Sequence, residues 1–300
     1  MMRDNASGEV IMRIILFIVL ILLTADASTT IASSADNAIG WESIRYLDFK
    51  NAEKVFRKVY ASTSPDSPQW AEAGVGLALS LHQAQPDVKA EKLEAQRIYD
   101  EVIGKIGTKD RIYYLALYLR ASLADKTDYF DDKPDPGAAC KLYQEIVSDC
   151  KDEMLRNLAF LALSQLEVFS MDTARAETAC KALEDWLKQY PKNPLAASQW
   201  ALLGDARLYP LKDKAKAVAA YRQADAAGIP DQESKSKTYW KIANLSMDIG
   251  DRVTSAEYCR KIIVGLKRSA FGYEARQMLM KMGEEAPPLF DPFSTMNENR

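Results

Sequence analysis

In 300 positions the chain has one histidine, four cysteines and no excess of basic over acidic residues. Each shortage removes a class of function. A lone imidazole, His82, cannot build a His-rich metal site and has no nearby nucleophile with an orienting acid, so it reads as a packed or surface residue. With 39 Lys and Arg against 42 Asp and Glu, and a net charge of -3, no basic face is implied and the composition argues against nucleic acid as a partner. Cys140, Cys150, Cys180 and Cys259 show no close metal-type or disulfide-type spacing and read as small apolar core residues. Export would permit a bridge between neighbouring helices instead, with Cys140 to Cys180 the first pairing to test. Gly74-Val-Gly76 lacks the preceding strand and third glycine of a dinucleotide fingerprint, which leaves helix packing through small residues.

Long apolar runs are also scarce. Arg13 precedes one, Ile14 to Leu23, and Thr24-Ala25-Asp26-Ala27 then places small residues where a signal peptidase reads, with Ser33-Ser34-Ala35 as a second such site. The run falls short of the roughly 20 residues of an ordinary spanning helix. Residues 1–27 are therefore expected to be a signal peptide, the alternative being an uncleaved membrane anchor that would be the protein's membrane contact. With no polar face, the run does not fit an amphipathic helix. No cysteine lies near either cleavage site to carry a lipid.

What is present is a repeat. Asp48 is followed four residues on by Ala52, then by Phe56 and Val59, and the pattern returns from Glu91 (Ala95, Tyr99, Val102), Asp135 (Ala139, Tyr143, Ile146), Asp172 (Ala176, Cys180, Leu183), Asp213 (Ala217, Tyr221, Ala224) and Asp251 (Ser255, Cys259, Ile262). The small residues are 43, 44, 37, 41 and 38 positions apart, the mark of stacked supersecondary units. Chemistry supports the alignment. An Asp four residues ahead of the small one can cap a helix N-terminus, the small residue admits a neighbouring helix, and the bulky one a turn later fills the space beside it. Glu91 is a poor cap, so the second of these helices is expected to start at Asp87, after Pro86.

Ahead of each repeated helix lies another segment with helical spacing, so the unit is a helical hairpin. Gly40, Ser164 and Ala243 sit twelve positions before the small residue of the second helix, and Gly204 thirteen. The hairpins read as 35–62, 68–106, 109–150, 151–190, 194–229 and 232–267, with a capping helix near 270–283. Prolines fall between helices, where they do no harm. An insertion at Asp125 to Pro134 holds Asp128, Asp131 and Asp132; lacking the alternating ligands and Gly of an EF-hand loop, it reads as a solvated acidic turn rather than a Ca²⁺ site. The tail, residues 285–300, is expected to be disordered, with a docking motif around Phe290 and Phe293 as the alternative.

Trp200-Ala-Leu-Leu203-Gly204, the Gly250-Asp251 turn and Leu47-Asp48-Phe49-Lys-Asn-Ala52 resemble the signature positions of the tetratricopeptide repeats. The resemblance covers about 35–284 and implies an all-α, right-handed superhelix of about six hairpins plus a C-terminal capping helix. Leu187-Lys-Gln-Tyr190-Pro191-Lys-Asn-Pro194, followed by Trp200, is similar to extracytoplasmic bacterial members such as the Tol–Pal accessory protein, which implies an exported, periplasmic or envelope protein that binds another protein or peptide and is not an enzyme. In stacked hairpins the first helices line the concave surface. The repeat phase puts Trp41, Arg45, Gln165, Asp205, Trp240 and Asn244 there, with Lys237 and Lys241 flanking Trp240 and able to pair with a carboxylate. For Trp41 and Trp240 the alternative is packing between repeats. No metal or small-molecule cofactor is expected. Two other functions stay open: self-association through the ends or convex face, and an α-superhelical enzyme acting on cell-wall glycan through paired carboxylates.

Overall fold

The computed structural model describes residues 35–86, 88–125, 134–266 and 268–289; the expected signal peptide and the acidic insertion at 128–132 lie outside them. Every regular element among the described residues is helical. The chain divides into two compact units, Met1–Phe160 and Leu161–Arg300.

In the first unit, α1 (Ala35–Arg45) pairs with α2 (Phe49–Ser62), α3 (Pro68–Gln83) with α4 (Lys89–Lys105), and α5 (Arg111–Asp125) with α6 (Pro136–Asp149). Each helix packs on the next, and the first helices of successive hairpins also touch, α1 on α3 and α3 on α5. Helix α7 (Glu153–Phe169) carries residues of both units. The second unit continues with α8 (Thr173–Gln189), the pair α9 (Ala196–Leu208) and α10 (Lys214–Ala227), then α11 (Gln232–Asp248) and α12 (Arg252–Arg260). A π-helical turn, Lys261–Gly265, extends α12, and α13 (Gly272–Lys281) closes the series.

The repeated residues do the work their chemistry suggests. Asp48, Asp135, Asp172, Asp213 and Asp251 each cap a second helix, their carboxylates accepting from the backbone N–H three residues on at 2.9 to 3.1 Å. Each such bond satisfies a donor that the helix itself leaves unpaired. The exception is α4, which begins at Lys89 behind an uncapped Val88 with Glu91 in its first turn; Asp87 lies outside the described residues. All six small positions and the bulky and aliphatic positions behind them are buried.

The small residues of the first helices explain how the hairpins close. A Cβ placed on either Gly40 or Gly76 would lie 2.5 Å from Phe56 Cζ, so one ring of α2 fills the space left by two glycines on α1 and α3. Gly204 admits the Tyr221 ring in the same way, with 2.5 Å to Cε1. Gly74 is spaced against Val102 and Tyr60, which accounts for Gly74-Val-Gly76 as a packing feature. The cysteines are thiols; Cys150, Cys180 and Cys259 are buried and Cys140 is half-buried, and burial pushes the Cys259 thiol up to about 11. His82 is buried in α3 with its ring edge-on to Tyr99 at 6.3 Å.

Candidate functional site

In the second unit the residues selected by repeat phase come together on α9 and α11. Lys241 Nζ lies 2.6 Å from Asp205 Oδ1, joining the first helices of two consecutive hairpins. The same oxygen accepts from the Tyr221 hydroxyl at 2.6 Å. Lys241 also stands over the rings of Tyr221 and Tyr209, 5.1 and 5.7 Å from their centroids. Burial, and then the Asp205 charge, hold the Tyr221 phenol far above its ordinary value, so it remains a donor. The ion pair is about a third exposed on the lysine side, a position from which the ammonium can exchange its carboxylate without crossing a buried, dry region.

Trp240, half-buried, stacks on Phe271 with centroids 5.5 Å apart and planes 12° from parallel. Phe271 lies in the connection that leads into α13. Asn244 donates from its side-chain amide to the Trp240 carbonyl at 2.9 Å. Lys237 is exposed and pairs with Glu233 at 2.6 Å within α11. Gln165 is half-buried on α7.

The remaining two candidates belong to the first unit. Trp41 is half-buried, edge-on to Phe56 at 5.1 Å, and its Nε1 donates to Glu72 Oε1 at 2.9 Å. Asn37 donates to the other Glu72 oxygen at 3.0 Å. Trp41 is thus a tie between the first two hairpins. Arg45 is exposed and pairs with Glu42 at 3.1 Å. Beside it a shallow cleft of about 560 Å³ is lined by Ile39, Glu42, Ser43, Tyr46 and Asn51 among others.

Sequence phase alone missed Tyr209, Tyr221 and Phe271 as parts of the α9–α11 face. It also missed a second carboxylate hub, on α10. Asp225 accepts from Tyr239 at 2.6 Å, Tyr258 at 3.0 Å and Lys261 at 3.1 Å. Burial opposes its ionisation, but these three donors outweigh burial and hold Asp225 below the usual carboxylate range. A usable signal was present. Lys241 lies 36 residues from Asp205, and Lys261 36 from Asp225, close to one repeat period. Among the described residues no group of three or more His, Cys, Asp or Glu is placed to hold a metal ion.

Paired helices in series, with small-on-large packing at repeat-equivalent positions, define an all-α fold of helical hairpins. The solved structure of PilF from Pseudomonas aeruginosa, a tetratricopeptide-repeat protein, aligns with a TM-score of 0.56, covering 83% of this chain and 96% of that one at 16% identity, a likeness of fold. No protein-family model and no curated protein matches the chain. The narrower similarity to the Tol–Pal accessory protein gains no support from these comparisons.

Proposed function

We propose that this chain is an exported scaffold of the bacterial envelope that holds a partner protein or peptide on the first-helix face of its second unit and performs no chemistry of its own. The observation that carries the reading is the join of α9 to α11. The exposed Tyr209 ring and the buried Tyr221 ring there flank an ion pair, Lys241 with Asp205, in which Asp205 has a second partner in the Tyr221 hydroxyl. A partner carboxylate can take Lys241 while the Tyr221 hydroxyl keeps Asp205 hydrogen-bonded, which lowers the cost of the exchange. Trp240 on Phe271 supplies a rigid apolar shelf of the kind that anchors interfaces. Helical-repeat folds generally serve protein–protein contact, and the apolar run behind Arg13 with its small-residue sites supports export.

The test is capture of partners from the native envelope fraction by the tagged wild-type chain and by Trp240→Ala/Asn244→Ala. The double variant should retain its helical circular dichroism and weaken capture by about tenfold or more. Unchanged capture would remove the face from the binding role. N-terminal sequencing of the recovered protein tests export and cleavage directly.

A second reading has one observation in its favour. Tyr46 and Leu47, at the turn of the first hairpin, are 74% and 55% exposed, as is Ile39 on the same helix pair, an apolar patch suited to self-association. Light scattering across a concentration series distinguishes it, since a purely monomeric chain would exclude it.

A further inference from the structure

We infer that the joint between the hairpins α9–α10 and α11–α12 is a hinge with two unequal carboxylate ties. Breaking the Lys241–Asp205 pair opens it along the first helices, while the tie at Asp225 keeps the second helices together as the pivot.

The two ties have one composition, advanced by one helix. Asp205 on α9, Tyr221 on α10 and Lys241 on α11 recur as Asp225 on α10, Tyr239 on α11 and Lys261 in the π turn after α12, with the carboxylates 20 residues apart and the lysines 20 residues apart. In each, the ammonium also stands over two tyrosine rings. Lys241 covers Tyr221 and Tyr209, and Lys261 covers Tyr258 and Tyr239 at 4.1 and 5.7 Å from their centroids. Both ties reach from one hairpin to the next, the first between α9 and α11 and the second between α10 and the end of α12. One thus resists separation of the first helices, the other separation of the second.

What crosses the joint differs between them. Asp205 takes both bonds on Oδ1, and the Tyr221 hydroxyl comes from its own hairpin, so of these two donors Lys241 alone belongs to the next. Asp225 uses both oxygens, and its donors Tyr239, Tyr258 and Lys261 all come from the next hairpin. Bonds to an ionised carboxylate are the stronger kind, and three of them hold where a single one gives way. The apolar packing lies with the stronger tie: Ala217, Val218 and Tyr221 of α10 share a buried cluster with Ile242 and Ala243 of α11 and with Tyr258 and Cys259 of α12. Lys214 and Asp248 also link α10 to α11 at 2.7 Å, but both side chains are about half exposed, and such pairs hold weakly. When Lys241 leaves Asp205, the carboxylate stays on Tyr221 within its own hairpin and α9 is free to swing from α11. A partner carboxylate that takes Lys241 therefore opens the face it binds, a consequence that rests on the reading of that face given above.

Pulsed electron-resonance distances in the full-length chain test the hinge, with spin labels carried on p-acetylphenylalanine so that the four cysteines stay untouched. One pair of labels sits at Ser198 and Gln232 on the first helices, the other at Ala219 and Val253 on the second, all exposed positions. Lys241→Met should move the first distance to longer, broader values and leave the second as it was, and Lys241→Arg should keep both as in the wild type. Asp225→Asn should broaden the second distance. Tyr221→Phe removes a bond within one hairpin and should change neither, which separates opening of the joint from simple loss of stability. A first distance unmoved by Lys241→Met, or both distances broadening together, would overturn the hinge. Asp205→Asn frees Lys241 in advance and should raise capture from the envelope fraction severalfold; no rise would overturn the coupling to a partner. The distances need no partner, so the hinge can stand where the Trp240→Ala/Asn244→Ala capture test fails, which separates the two proposals.

Discussion

Leu47, Met171 and Lys212 hold positive φ of 61°, 60° and 56°, each immediately ahead of the aspartate that caps a second helix. The fourth such position is Gly250, φ 83°, ahead of Asp251. An L-residue costs roughly 1–2 kcal/mol in this region, while glycine adds about 0.5–1 kcal/mol of chain entropy to folding. Lys212→Gly and Met171→Gly should therefore stabilise the protein by about 0.5–1 kcal/mol each, read as a higher urea midpoint, and Gly250→Ala should lower it. Burial alone does not predict the effect of changing a tyrosine. The Tyr99 hydroxyl is fully buried with no hydrogen-bond partner among the described residues, whereas that of Tyr221 donates to Asp205 at 2.6 Å. Tyr99→Phe is expected to be neutral or to stabilise by up to about 1 kcal/mol, and Tyr221→Phe to cost about 1.5–3 kcal/mol, because hydrogen bonds to charged groups are the stronger kind. Equal losses in the two variants would contradict this assignment. The sequence marks both tyrosines as the bulky member of the same repeat position, and only the neighbours across the interface separate them.

At the scale of the helix, one rule recurs: a second-helix ring enters the space above a first-helix glycine. Because a Cβ on Gly204 would meet the body of the buried Tyr221 ring at 2.5 Å, and not a flexible tip, the ring must shift. Gly204→Ala is expected to cost about 1–3 kcal/mol despite alanine's better helix propensity. Alanine at Gly104, whose Cβ would meet nothing within 4 Å, should gain the propensity instead. Thermal melts of the two variants moving in opposite directions check the rule. This much of the element level is legible in the chain: the small and bulky positions of the six repeated helices, the five capping aspartates and the prolines near the helix starts. The uncapped start of α4 and the π turn after α12 were not. The π turn puts Ile262 and Ile263 together into the core while Lys261 reaches Asp225, a departure from 3.6-residue spacing that periodicity cannot announce.

For the molecule as a whole, several carboxylates are held below their ordinary range by neighbours that differ from place to place. Glu94 is lowered by Arg57, Glu101 by Lys105 and then Tyr60, Glu145 by Lys109, Asp213 by the Lys216 backbone N–H and Asp251 by Thr254; Asp225 is lowered against the opposing effect of burial. A carboxylate with a depressed folded pKa gives stability that is complete above its unfolded value, near 4, and is lost as pH falls through the folded one. The urea midpoint should stay level near neutrality and drop progressively below about pH 4. A midpoint that rises on acidification would show that burial, not these partners, governs the carboxylates.

The amino-acid order by itself determined that this protein is a series of paired helices, because capping, small-on-large packing and apolar spacing are properties of residues within one helix or its immediate partner. It also located the first-helix positions around Trp240 and Lys241. Tertiary structure alone decided which groups meet there. Lys241 finds Asp205 and Tyr221, and Trp41 becomes a tie to Glu72, because those contacts depend on how far one hairpin is turned against the next. That turn is set by the summed shapes of many buried side chains, and no local pattern encodes it.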